Sequence, residues 1–133
     1  MIADTPPQSP IEPVPWLNEL SFLSDVLEAH GVVVVAFLRK VDADTGLIGA
    51  RLAELQPMVQ GRARLVRIDS VVEPGPARLC RIQRFPTLVF FRNGLEIGRL
   101  EGMRTAAQYA LAVDIAESAL PGVESVPGSY PPP

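Results

Sequence analysis

Few residues in this chain could do chemistry. There is one cysteine, Cys80, and one histidine, His30. A lone cysteine cannot form an internal disulfide, a CxxC redox couple or a four-ligand zinc site. His30 stands beside Gly31 at the expected end of a helix, where a histidine suits the helix dipole, and no Ser/His/Asp arrangement surrounds it. Asp42 and Asp44 form an acid pair. Two carboxylates without further ligands fit a capped helix start better than a cation site. Neither a metal nor a cofactor is expected. Cys80 is the one redox candidate. If exposed, its thiolate would be favoured by the neighbouring Arg81; if buried, it is a small apolar residue.

The elements that must position these groups can be read from the pattern. The 133 residues suit one domain, and 47% hydrophobic with 20% charged residues fits a globular protein. The net charge of −3 comes with no basic stripe, so nucleic acid is not an expected partner. The longest apolar run, Gly31 to Leu38, is far short of the roughly 20 residues that span a bilayer. The first residues lack a basic and then apolar leader, which gives a cytoplasmic expectation. Most of the 14 prolines fall in residues 1–15 and 121–133, which read as extended tails around a domain over 16–120.

Within the domain, Leu20 to Leu27 repeats near helical spacing and stops at His30-Gly31. Val32 to Leu38 is a β-branched run typical of a strand buried on both faces. Leu47, Ile48, Leu52 and Leu55 give a helical stripe closed by Gly61, and Leu65 to Asp69 gives a second strand. A short helix over Pro74 to Arg81 precedes a third strand, Leu88 to Phe91. Asn93-Gly94 turns it into a returning strand, Glu96 to Leu100. Thr105 then caps a last helix through Leu120. The order predicts an α/β fold with a central mixed sheet of four to five strands sandwiched by helices.

This order resembles the thioredoxin family over roughly Leu17 to Leu120. The most specific string is Phe85-Pro86-Thr87-Leu88-Val89-Phe90-Phe91 followed by Arg92-Asn93-Gly94. The resemblance implies a thioredoxin-like fold with a cis Phe85-Pro86 bond and with Gly102 beside a binding groove. Aligning Val33 to Phe37 and Gln60-Gly61 with the family's strand and helix end needs no gap. The CxxC position then falls on Asp42-Ala43-Asp44-Thr45, the preceding tryptophan on Val41, and the family's buried acid on Ala36. Family chemistry needs a thiolate at a helix N-terminus and a second thiol to resolve the mixed disulfide. Both are absent at that position. Among dithiol-free relatives, the hydrogenase expression accessory proteins are similar in their Arg-Phe-Pro string, here Arg84-Phe85-Pro86, and in an acidic replacement of the motif.

The resemblance therefore implies a non-catalytic binding module, either an assembly chaperone or an accessory subunit, with a protein partner such as a hydrogenase subunit. The alternative is a residual thiol activity through Cys80. The expected contact residues are Val41, Asp42, Asp44, Arg84, Phe85, Pro86, Gly102 and Met103. Val41, Phe85 and Met103 are expected to line an apolar groove, which leaves a homodimer open. Arg39, Lys40, Arg81 and Arg84 are expected to form a basic rim near Asp42 and Asp44.

Overall fold

In the computed structural model, which describes residues 13–118, the valine-rich run Val32–Leu38 is strand β2 and is buried along its whole length. β-Branched side chains favour extended backbone, and a strand can bury every residue only when both its faces are covered. Strand β3 (Ala63–Asp69) runs parallel to it on one side, and β4 (Thr87–Arg92) antiparallel on the other. β4 turns into β5 (Leu95–Glu101), with a register irregularity at Phe90/Phe91. A two-residue strand, β1 (Trp16–Leu17), pairs with the outer side of β3. The sheet order is β1-β3-β2-β4-β5.

Alternation along β2 divides the core in two. Val32, Val34, Ala36 and Leu38 pack with Leu52, Leu55, Tyr109 and Val113 from α2 (Thr45–Val59) and α4 (Ala106–Ser118). Val33, Val35 and Phe37 face the other layer. That layer is α1 (Glu19–Phe22), its π-helical continuation Leu23–Leu27, and the short α3 (Pro74–Leu79). Phe22 stands edge-on to Phe37 and to Phe91, each with ring centroids 6.2 Å apart. Such a pair contributes about 1 kcal/mol beyond its buried area.

Two of the helices, α1 and α4, begin where polar side chains satisfy free backbone donors. Asn18 Oδ1 accepts from Ser21 N–H at 2.8 Å, and Ser21 Oγ accepts from Asn18 N–H at 2.9 Å. Thr105 and Gln108 make the same reciprocal pair ahead of α4, at 3.1 and 2.9 Å.

The sheet has five strands, and the pattern of the sequence did not include β1. Packing also begins before residue 16: Val14 lies in the core, and Pro15 C=O accepts from Arg67 N–H at 2.8 Å. A two-residue strand among prolines has no periodicity to reveal it. Residues 1–12 of the N-terminal tail, the whole of 121–133, and the end of the domain at Leu120 lie outside the described residues.

The hairpin turn is clamped to the end of the first helical layer. Gly31 N–H donates to Asn93 Oδ1 at 2.7 Å, and Asn93 N–H donates to Gly31 C=O at 2.9 Å. Asn93 and Gly94 have φ of 52° and 83°, as a primed turn requires. A Cβ on Gly94 would stand 2.2 Å from the Leu27 carbonyl oxygen. Gly102 has a similar φ, +82°, yet a Cβ there would meet nothing within 4 Å. Gly94→Ala should therefore cost well over the ~1 kcal/mol expected for Gly102→Ala, on the order of 2–3 kcal/mol. Urea unfolding measures both; equal losses would show that the contact with Leu27 does not matter.

Candidate functional site

Register builds the site. Phe37 on β2 pairs with Thr87 on β4, so the loop leaving β2 and the loop entering β4 emerge side by side. The Phe85–Pro86 peptide bond in the second loop is cis. Pro86 is buried, and its C=O accepts from Gly102 N–H at 2.8 Å. Thr87 is fully buried, and its hydroxyl donates to Arg84 C=O at 2.7 Å. The backbone N–H and C=O of Phe85 make no hydrogen bond to any described residue. They stand two residues before Thr87, where the β4–β5 pairing ends.

The other loop reaches this one through a side chain. Arg39 Cζ lies 5.8 Å from the centre of the Phe85 ring, and Arg39 Nε lies 3.4 Å from Asp42 Oδ1. Arg39 thus bridges the segment 42–45 and the cis-proline loop. Asp44 occupies the N-cap position of α2, but its carboxylate makes no capping hydrogen bond. Its ψ of 7° is not the extended conformation from which a side chain caps. Thr45 secures the loop instead, donating its hydroxyl to Arg39 C=O at 2.7 Å. Capping by the acid pair is therefore corrected to a backbone turn held by Thr45.

The expected apolar groove is also narrower than the sequence suggests. Val41 is 70% exposed. Phe85 is half-buried against the α1/α3 side of the core, and Met103 is half-buried against the α2/α4 side. The two side chains anchor to opposite layers, so they do not form one continuous apolar wall. The basic rim loses one member. Lys40 Nζ sits 4.3 Å from the Trp16 ring, which Arg67 approaches at the same distance. Arg84 is exposed, with Nε 3.9 Å from Glu101, and Arg81 is exposed. His30 lies just before β2, at the opposite end of that strand from the site.

Cys80 ends α3 and is half-buried. Burial pushes its thiol up to about 11; Glu96 adds to the rise and Arg99 opposes it. Arg99, itself buried, pairs through Nε and Nη2 with the two carboxylate oxygens of Glu96 at 2.8 Å each, and Nη2 donates to Cys80 C=O at 2.7 Å. The expectation that Arg81 could activate an exposed thiol is corrected accordingly: the cation acting on Cys80 is Arg99, and desolvation outweighs it.

One positioning residue was not singled out for its role in the sequence. The Tyr109 hydroxyl donates to Gly102 C=O at 3.1 Å and accepts from Arg104 N–H at 3.0 Å. Gly102 in turn holds Pro86, so a fully buried tyrosine on α4 anchors the cis-proline loop from behind. Tyr109 read only as one member of a helical stripe, since periodicity marks burial and not what a hydroxyl does. Tyr109→Phe leaves a backbone donor and acceptor unpaired and should cost about 1–2 kcal/mol in thermal or urea unfolding. A neutral result would mean that the hydroxyl does not hold the loop.

The sequence matches the thioredoxin family over residues 13–115. A thioredoxin of Synechocystis sp. is 24% identical over 88 residues, which is 66% of this chain and 82% of that protein. A thioredoxin-like protein of the same organism is 35% identical over 57 residues, 43% of this chain and 54% of that protein. Among the described residues, no helix is long and apolar enough to cross a membrane. The five-stranded mixed sheet, its flanking helices and this match over most of the chain agree: the protein belongs to the thioredoxin family.

Proposed function

We propose that this protein is a non-catalytic member of the family that binds an extended segment of another protein at the cis-proline loop. The observation that carries this reading is the unpaired backbone of Phe85, beside a half-exposed ring and the open space at Gly102. An extended peptide could complete both hydrogen bonds by strand addition, with side-chain contacts supplying specificity. The position where the family places its dithiol carries Asp42-Ala43-Asp44-Thr45, which cannot exchange disulfides.

The role fits an assembly chaperone, which holds its client transiently, or an accessory subunit, which stays bound. The resemblance to hydrogenase accessory proteins makes a nickel–iron hydrogenase subunit the first client to test. A photo-crosslinking residue at Val41, exposed at the site, should capture the partner in cells. The same residue at Leu111, exposed on α4, should not. Phe85→Ala should weaken the captured complex about tenfold, as loss of a central interface aromatic does. Equal capture from the two positions would place the partner elsewhere.

Catalysis by Cys80 would require a thiolate that the site does not favour. Alkylation of the native protein by iodoacetamide should rise with a midpoint near pH 11 instead of the value near 9 of an ordinary thiol. The unfolded chain then ionises first, so the thiol's contribution to stability falls as pH rises from about 9 to 11. Turnover in a disulfide reduction assay, lost in Cys80→Ser, would overturn the non-catalytic reading.

A further inference from the structure

We infer that Arg81 is a specificity residue that reads a carboxylate on the segment docking at the cis-proline loop, so that the preferred partner segment is acidic. This rests on the binding reading above.

Arg81 has φ of 56°. It follows the end of α3 in a left-handed turn: its N–H donates to Arg78 C=O at 3.1 Å, and Ile82 N–H reaches back to Ala77 C=O at 2.9 Å. Glycine is the usual residue there, because a Cβ disfavours the left-handed region by about 1 kcal/mol or more. Elsewhere among the described residues this chain obeys that preference. Every other positive-φ position is Gly31, Gly61, Gly94, Gly102 or Asn93. Arg81 alone keeps a long cationic side chain there.

That side chain makes no polar contact within the described fold that would offset the strain. Arg81 is exposed, and its guanidinium makes no ion pair or hydrogen bond with a described residue. Only its backbone is engaged, its C=O accepting from Arg99 Nη1 at 3.4 Å. The exposed Arg78 and Arg84 stand on either side of it in the chain. The acids nearby are already committed or lie on the other bank. Glu96 pairs with Arg99, Glu101 stands 3.9 Å from Arg84, and Asp42 pairs with Arg39 across the loop. Asp44, exposed at the start of α2, has no ion pair and belongs to that other bank. The stretch from Arg78 to Arg84, which leads directly into the unpaired backbone of Phe85, is thus cationic and contains no acid. A guanidinium presented this way suits a carboxylate in two-point contact.

The test uses the full chain and three labelled peptides that share one apolar extended core and differ only in flanking Glu, Gln or Lys. The Glu peptide should bind tightest, with an advantage that shrinks in high salt. Arg81→Gly should weaken that peptide about three- to tenfold, bring it level with the Gln peptide, and raise the melting temperature by about 4 °C. Arg81→Asn, which also tolerates the left-handed turn, should lose the preference as well. Equal binding of the Glu and Gln peptides by the unaltered protein would overturn this inference and leave the binding reading standing. A lower melting temperature in Arg81→Gly would make the arginine structural and overturn it too. No binding of any peptide would overturn the binding reading and this inference with it.

Discussion

Strand β2 buries both of its faces, so its backbone can be satisfied only by strands on either side, and the position of every other element follows. The parallel partner β3 forces a crossover through α2, and the antiparallel partner β4 brings a hairpin. Because β4 runs against β2, its beginning meets the end of β2. The two loops that make up the site meet for that reason, not because they attract one another. Arg39, set between the Phe85 ring and Asp42, settles into a juxtaposition that the ladder has already fixed.

The same frame separates the cis-proline loop, the proposed binding site, from the groups that could do chemistry. The residues proposed for recognition are held by hydrogen bonds: Pro86 is bonded to Gly102, and Gly102 to the buried Tyr109 of α4. For the proposed binding, pre-ordered backbone groups would lose less than mobile ones. The chemical features are dispersed. The start of α2, where a positive dipole end would favour a thiolate, holds Asp42 and Asp44. The one thiol in the chain, Cys80, lies at the end of α3, in surroundings that keep it protonated.

Legibility in the sequence followed periodicity. β2 was readable because seven residues in a row are apolar, and α2 because Ile48, Leu52 and Leu55 return on one face. The Asn93-Gly94 turn was readable because few residue pairs accept two positive φ values. What escaped were features without a period: the two-residue β1, the π-helical end of the first layer, and the core position of Val14. Side-chain destinations escaped for a related reason. Lys40 and Arg39 are neighbours of the same charge, yet one turns to Trp16 and the other to Phe85. Both lie in the loop and turn that follow β2, where no period sets side-chain direction and only the tertiary frame says what waits there.

Positive-φ positions show how local conformation and purpose come apart in this fold. At Gly94 the absent side chain is demanded by a neighbour, since the Leu27 carbonyl fills the space a Cβ would need. At Gly102 the space is empty, so crowding does not demand glycine; its φ of +82° favours it, and its N–H is bonded to Pro86. At Arg81 the conformation favours glycine and the chain supplies arginine. Stability alone accounts for the first case and is silent on the room left in the second. In the third it points the wrong way, since the chain keeps a residue there against the local preference. Arg81 lies four residues before the unpaired Phe85 backbone, so the proposed partner segment is the first place to look for what offsets that cost.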